Sequence, residues 1–102
     1  MFSVIVESCA KKFFEFKKTL STDASFKDKT ESFTIPIEEE SCDIQFIKRD
    51  YNNFVDVIIY YARYPLEFRI NQSVQTVEQF KTEMKNGLNE RIEMYQFYLE
   101  KI

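Results

Sequence analysis

The first twenty residues carry apolar side chains at helical spacing. At about 100° per residue, these positions fall within an arc of about 100° on a helical wheel, and Lys11 and Lys18 lie away from it. The stripe consists of Phe2, Ile5, Val6, Cys9, Phe13, Phe16 and Leu20. Phe2, Val4 and Val6 also alternate as a strand would, but the stripe keeps its phase to residue 20. The pattern therefore favours an N-terminal amphipathic helix.

Four runs with the alternation of β-strands follow the polar segment 21–31. They cover residues 32–38, 42–49, 54–64 and 66–71. Pro36 lacks a backbone N–H, so the first run belongs on a sheet edge or a bulge. Alternation puts Phe33, Ile35 and Ile37 on one face of the first run and Cys42, Ile44 and Phe46 on one face of the second. In the fourth run, Leu66, Phe68 and Ile70 are predicted to point inward. Because the connections are short, an antiparallel meander is expected.

The third run is apolar on both of its faces. One face carries Val55, Val57, Ile59 and Tyr61, and the other carries Phe54, Ile58, Tyr60 and Tyr64. Asp56 shares the second face. A buried acid with a shifted pKa is one interpretation of Asp56, and a carboxylate on the sheet face bonded to Tyr or Arg is the favoured one.

The last element begins with a capping box, in which Thr76 is the N-cap and Gln79 reaches back to it. One apolar stripe of about 120° then continues to the C-terminus. It consists of Val77, Phe80, Met84, Leu88, Ile92, Tyr95, Leu99 and Ile102. Gly87 could end a first helix. Since the stripe passes Gly87 without changing phase, we predict one long helix.

These elements predict a single domain over residues 1–102, in the order α-β-β-β-β-α. Packing both apolar stripes on one face of the four-stranded antiparallel sheet gives a two-layer α+β sandwich. Neither an internal repeat nor a low-complexity segment interrupts the pattern.

The amino-acid composition excludes several classes of catalytic and metal-binding site. The 102 residues contain no histidine and one glycine. Without histidine, Ser-His-Asp and Cys-His nucleophiles and His-bearing zinc sites are excluded, and one glycine is too few for a phosphate-binding glycine-rich loop. We therefore expect no enzymatic activity, no cofactor and no metal.

The balance of charge indicates the kind of partner. A net charge of −3 argues against sequence-independent binding to nucleic acid and mildly favours a basic protein partner. No apolar run is long enough to cross a membrane, and the apolar stretch 2–6 lacks a preceding Lys or Arg and is too short for a signal peptide. We expect a cytoplasmic protein in which Cys9 and Cys42 are reduced, buried thiols.

The densest cluster of charge falls at the predicted first hairpin and comprises Glu38, Glu39, Glu40 and Asp43. A solvated loop is the simplest interpretation, and a metal or acid–base site is the least favoured. A partner-facing acidic patch gains support because residues 32–71 hold four Lys and Arg against seven Asp and Glu. The net charge of that region, 4 − 7 = −3, equals the net charge of the whole chain.

Aromatic residues in and around the third run form the second candidate feature. Tyr51, Phe54, Tyr60 and Tyr64, with Asp56 among them, are the residue types that interfaces favour. Side chains or the 21–31 connection could cover them instead, and two copies could dimerise through the same face.

The sequence therefore predicts a protein that works by contact. The favoured hypothesis is an immunity protein that neutralises a basic nuclease-type toxin by occluding it, with the acidic and aromatic residues at the interface. The alternatives are a phage-encoded inhibitor of a host defence complex and a structural or adaptor subunit that dimerises through its aromatic sheet face.

Overall fold

The computed structural model describes residues 2–20, 29–37, 40–49, 53–61 and 64–89. Two helices and four strands occupy these ranges. In chain order they are α1 (Phe2–Lys18), β1 (Lys29–Ile37), β2 (Glu40–Lys48), β3 (Phe54–Tyr61), β4 (Tyr64–Asn71) and α2 (Val77–Asn89). The predicted order α-β-β-β-β-α and the α+β class are confirmed.

The four strands form one antiparallel sheet in the order β1-β2-β3-β4. One row of paired residues crosses the whole sheet, from Phe33 to Ile44, Ile59 and Leu66. Pro36 lies on β1, which is an edge strand, as its missing N–H requires. The predicted meander is therefore confirmed.

Helix α1 buries the stripe that the sequence predicts, with Ala10 added to it. The helix ends at Lys18, and the Thr19 hydroxyl then donates a hydrogen bond of 2.7 Å to the carbonyl oxygen of Phe16. Leu20 completes the stripe just beyond the helix, with 9% of its surface exposed. Periodicity alone thus identifies the face of α1 that packs on the sheet.

Helix α2 begins with the predicted capping box. The backbone N–H of Gln79 donates a hydrogen bond to Thr76 Oγ1 at 3.1 Å. The backbone N–H of Thr76 donates one to Gln79 Oε1 at 3.2 Å. The helix passes Gly87 and is described to Asn89, so Gly87 does not end it. The last predicted stripe positions, Ile92, Tyr95, Leu99 and Ile102, lie outside the described residues.

The core lies between the helices and one face of the sheet. Phe46 of β2 is fully buried, and its ring centroid lies 6.1 Å from that of Phe13, 5.3 Å from that of Phe16 and 5.2 Å from that of Phe33. Phe80 of α2 joins this cluster, with its ring 5.6 Å from that of Phe13. Both described helices therefore pack on the same face of the sheet, as predicted.

Gly87 marks a close approach between α2 and β4. A Cβ atom added at Gly87 would lie 3.0 Å from Phe68 Cβ, which is closer than the usual separation of two packed carbon atoms. Phe68 is itself a buried core residue. The single glycine of the chain thus allows the two elements to approach more closely than a side chain would permit.

The two cysteines are free, and both lie in the core. Burial raises the pKa of the Cys9 thiol well above its ordinary value, and the neighbouring Cys42 sulfur raises it further. Burial, together with the Asp43 carboxylate, raises the pKa of Cys42 from 9.0 to about 11. Both groups are therefore neutral near pH 7 and pack as small apolar side chains.

We expect the thiols to make the fold sensitive to alkaline pH. Because the folded chain holds their protons more tightly, their contribution to stability is complete below about pH 9 and is lost as the pH rises towards 11. Urea unfolding of the wild type and of a Cys9→Ala, Cys42→Ala variant, measured from pH 7.5 upward, isolates this effect. The wild type should lose stability more steeply with pH, and parallel profiles would contradict the assignment.

Neither described helix is both long and apolar enough to cross a membrane.

Candidate functional site

The sheet face opposite the two described helices carries a mixture of polar and apolar side chains. We call it the open face, and its residues alternate with the core positions of each strand. They are Thr30, Ser32, Thr34, Pro36, Ser41, Asp43, Gln45, Ile47, Arg49, Phe54, Asp56, Ile58, Tyr60, Pro65, Glu67, Arg69 and Asn71. Phe54 is 39% exposed and Tyr60 is 50% exposed, so both present apolar surface on this face.

A row of three polar residues crosses one end of the open face. Asp43 pairs with Thr34 of β1 on one side and with Tyr60 of β3 on the other. The Thr34 hydroxyl donates a hydrogen bond of 2.7 Å to Asp43 Oδ1. Directly opposed residues on neighbouring strands have Cβ atoms about 5 Å apart, so the Asp43 carboxylate lies close to the side of Tyr60.

A depression of about 430 Å³ opens at this row. Its lining combines a carboxylate, hydroxyl groups, a side-chain amide and an aromatic ring. The residues are Ser32, Phe33, Thr34, Asp43, Ile44, Gln45 and Tyr60. Five of the seven belong to the open face, so the depression is accessible from the side of the sheet that the described helices leave uncovered.

The other end of the open face is organised around Asp56. Arg69 Nε lies 2.8 Å from Asp56 Oδ1, and Arg49 Nε lies 3.4 Å from Asp56 Oδ2. The Asp56 side chain is 23% exposed, whereas both arginine side chains are 58% exposed. This confirms the favoured interpretation of Asp56 as a carboxylate on the sheet face bonded to arginine. Its charge is therefore compensated locally by the two arginines.

Charge is therefore segregated along the open face. Asp43 and Glu67 lie in two adjacent rows of the open face, which follow the Pro36–Ser41 pair away from the connection between β1 and β2, and no described cation shares those two rows. We call these rows, residues 32, 34, 43, 45, 58, 60, 65 and 67, the acidic half. The remaining rows hold two arginines and one carboxylate, so the two halves carry opposite net charge.

The structure brings together four of the nine predicted contact residues. Asp43, Phe54, Asp56 and Tyr60 share the open face, at the two ends just described. Glu38, Glu39 and Tyr51 lie outside the described residues.

Two further predicted residues lie at strand starts. Glu40 is the first residue of β2 and pairs with Ile37. The prediction that Tyr64 extends the third strand beside Tyr60 is wrong, because β3 ends at Tyr61 and Tyr64 starts β4. Tyr64 pairs with Tyr61, so its place in the register is not on the row of Tyr60. Because β3 and β4 are antiparallel, the third strand ends before Tyr64, earlier than the apolar run suggests.

Sequence reasoning missed the neighbours that shape the two ends of the face. No sequence motif singles out the four residues concerned, since each is an ordinary polar residue at an outward strand position. They are Thr34, Gln45, Arg49 and Arg69. Strand alternation alone sets Gln45 and Arg69 on the side away from the core positions, but it does not say which residues lie beside any of the four. Their pairing with Asp43 and Asp56 depends on the register between strands, which the connections set.

The described residues were also compared with the requirements of a metal-binding site. No group of three or more His, Cys, Asp or Glu residues there is placed to hold a metal ion. Hydroxyl, amide, aromatic and carboxylate groups instead converge at the depression, and these suit recognition of another molecule by contact.

Comparison of the chain with models of known protein families, with curated proteins and with solved structures finds no match.

Proposed function

We propose that this protein is a non-enzymatic inhibitor that binds another protein through the acidic half of its open face. The specific form we propose is a cytoplasmic immunity protein that neutralises a basic nuclease-type toxin by covering its active site. The observation that carries the proposal is the half-exposed Tyr60 beside the Asp43 carboxylate, on the sheet face that the described helices do not cover.

Two physical features support contact through this surface. Tyrosine supplies a large contact area while losing few rotamers on binding, which is why it is frequent at energetically dominant interface positions. The exposed Asp43 carboxylate gives this half a negative potential that attracts a basic surface and speeds association with it. A nuclease that binds nucleic-acid phosphates presents such a basic surface.

The test is co-expression with the toxin candidate encoded by the neighbouring gene, followed by size-exclusion chromatography and a nuclease assay. We expect a stable complex in which the nuclease is inactive. Tyr60→Ala should weaken the complex by about 2 kcal/mol, or about thirtyfold in Kd, because an interface tyrosine of this kind is a hot spot.

Val4 provides the matched control. It is 54% exposed but lies on α1, on the other side of the molecule from the open face. Val4→Ala should leave the Kd unchanged. Equal effects of the two substitutions, or the absence of any complex between the purified proteins, would count against the proposal.

A phage-encoded inhibitor of a host defence complex would use the same acidic half against a different basic target. The same two variants apply to it, and a defence-complex subunit replaces the toxin in the binding assay.

A second candidate function, self-association as a structural or adaptor subunit, is favoured by the segregation of charge. If two open faces stack with their strands reversed, Asp43 of one copy approaches Arg49 and Arg69 of the other. Light scattering of the isolated protein tests this arrangement. A stable dimer that Tyr60→Ala dissociates would favour self-association, and a monomer would contradict it.

A further inference from the structure

We propose that the depression beside Asp43 and Tyr60 is a subsite for the guanidinium group of an arginine side chain from the protein partner. This inference rests on the proposed function, since it names the group that the acidic half recognises.

The arrangement of Asp43 supplies the charge. Its Oδ1 accepts a hydrogen bond from Thr34, and among the described residues no hydrogen bond to Oδ2 is formed. The carboxylate also has no described cation as a salt-bridge partner, in contrast with Asp56, which has two. An exposed carboxylate held in place by a neighbouring hydroxyl is suited to a charge-assisted hydrogen bond with an incoming cation.

The surroundings of Asp43 favour arginine over lysine. Tyr60 offers an aromatic ring on one side of the carboxylate, and guanidinium planes stack on such rings. Gln45 and Ser32, which also line the depression, add oxygen acceptors around it. A guanidinium has five N–H donors in a fixed plane and can engage several acceptors at once, whereas an ammonium has three donors on a compact head.

The dimensions agree with this occupant. The depression of about 430 Å³ lies within the range of small-molecule pockets, and the ring of Tyr60 supplies apolar surface beside the polar groups of its lining. An arginine side chain presents the same combination, since its methylene stem packs on apolar surface while its head group remains polar.

N-acetyl-arginine amide is the probe for the experiment, titrated at constant ionic strength against the full chain labelled with ¹⁵N. We expect saturable shifts of the backbone amide signals of Thr34, Asp43 and Tyr60. The corresponding citrulline compound, which has nearly the same shape without the charge, should produce no such shifts. The lysine compound should bind more weakly than the arginine compound.

Two variants separate this subsite from general electrostatic attraction. Asp43→Asn should weaken binding of the arginine compound by about tenfold, which corresponds to loss of one charge-assisted hydrogen bond. Glu31→Gln removes one exposed carboxylate from β1, at a residue that lies neither on the open face nor in the lining of the depression, and it should leave the affinity unchanged. Equal losses in the two variants, or equal binding of arginine and citrulline, would overturn the inference.

The outcome is distinguishable from failure of the proposed function. If the toxin binds the wild type and Asp43→Asn equally well, the inhibitor proposal stands and the subsite is wrong. If the arginine compound binds at Asp43 and Tyr60 but no toxin does, the subsite stands and the proposed function is wrong.

Discussion

Replacing Phe46 by alanine is expected to lower the free energy of unfolding by about 3–5 kcal/mol, the cost of truncating a fully buried aromatic side chain. Phe46 has no exposed surface, and its ring contacts those of Phe13, Phe16 and Phe33. These three rings would line the cavity left by the substitution and lose their contacts with Phe46. Since domains of this size have a total stability of about 5–15 kcal/mol, the loss is a large fraction of the whole. Urea unfolding followed by circular dichroism measures it.

Phe54→Ala is the matched control for Phe46→Ala. Phe54 is the same residue type on the neighbouring strand, but it lies on the open face with 39% of its surface exposed. We expect Phe54→Ala to cost much less than Phe46→Ala. Similar losses in the two variants would mean that the open face is buried as deeply as the core, and would argue against its role as a contact surface.

Gly87→Val is expected to destabilise the fold by about 1–3 kcal/mol, the usual range for overpacking. Valine is a better helix former than glycine, so helix propensity alone predicts the opposite sign. The reason for the reversal is the 3.0 Å separation between an added Cβ and Phe68 Cβ, which leaves no room for a side chain between α2 and β4. Phe68 Cβ is attached directly to the backbone of β4, so relief requires the two elements to separate.

Asn86→Val is the control for Gly87→Val, because Asn86 is the preceding residue of α2 and is exposed. Introducing the same side chain there should change stability only by the small difference in helix propensity between asparagine and valine. Thermal unfolding of the two variants and the wild type provides the comparison. A stabilised Gly87→Val variant would show that α2 and β4 are not held at this separation.

Much of the fold follows from patterns that are local in the chain. The stripe from Phe2 to Leu20 predicts which face of α1 is buried, because a helix brings residues three and four apart onto one side. Thr76 and Gln79 predict the start of α2, since capping needs only residues within one turn. Alternation likewise separates core positions from the open face in every strand.

The candidate site was less predictable because it depends on which residues lie beside one another across strands. The acidic residues and aromatic residues were identified by type, but Asp43 and Asp56 have the same outward position in their strands and very different neighbours. Register places Thr34 and Tyr60 beside Asp43 and places Arg69 beside Asp56. A shift of register by two residues would preserve the alternation and exchange these neighbours.

The sequence by itself determined the order of elements, their buried faces and the exclusion of histidine-dependent chemistry, since each depends on composition or on spacing within one element. Only the tertiary structure decided that Asp56 is compensated by two arginines while Asp43 is not, and that the lone glycine lies against β4. These properties arise from contacts between elements distant in sequence. Alternation and helical periodicity fix which way a side chain faces, but not what it meets.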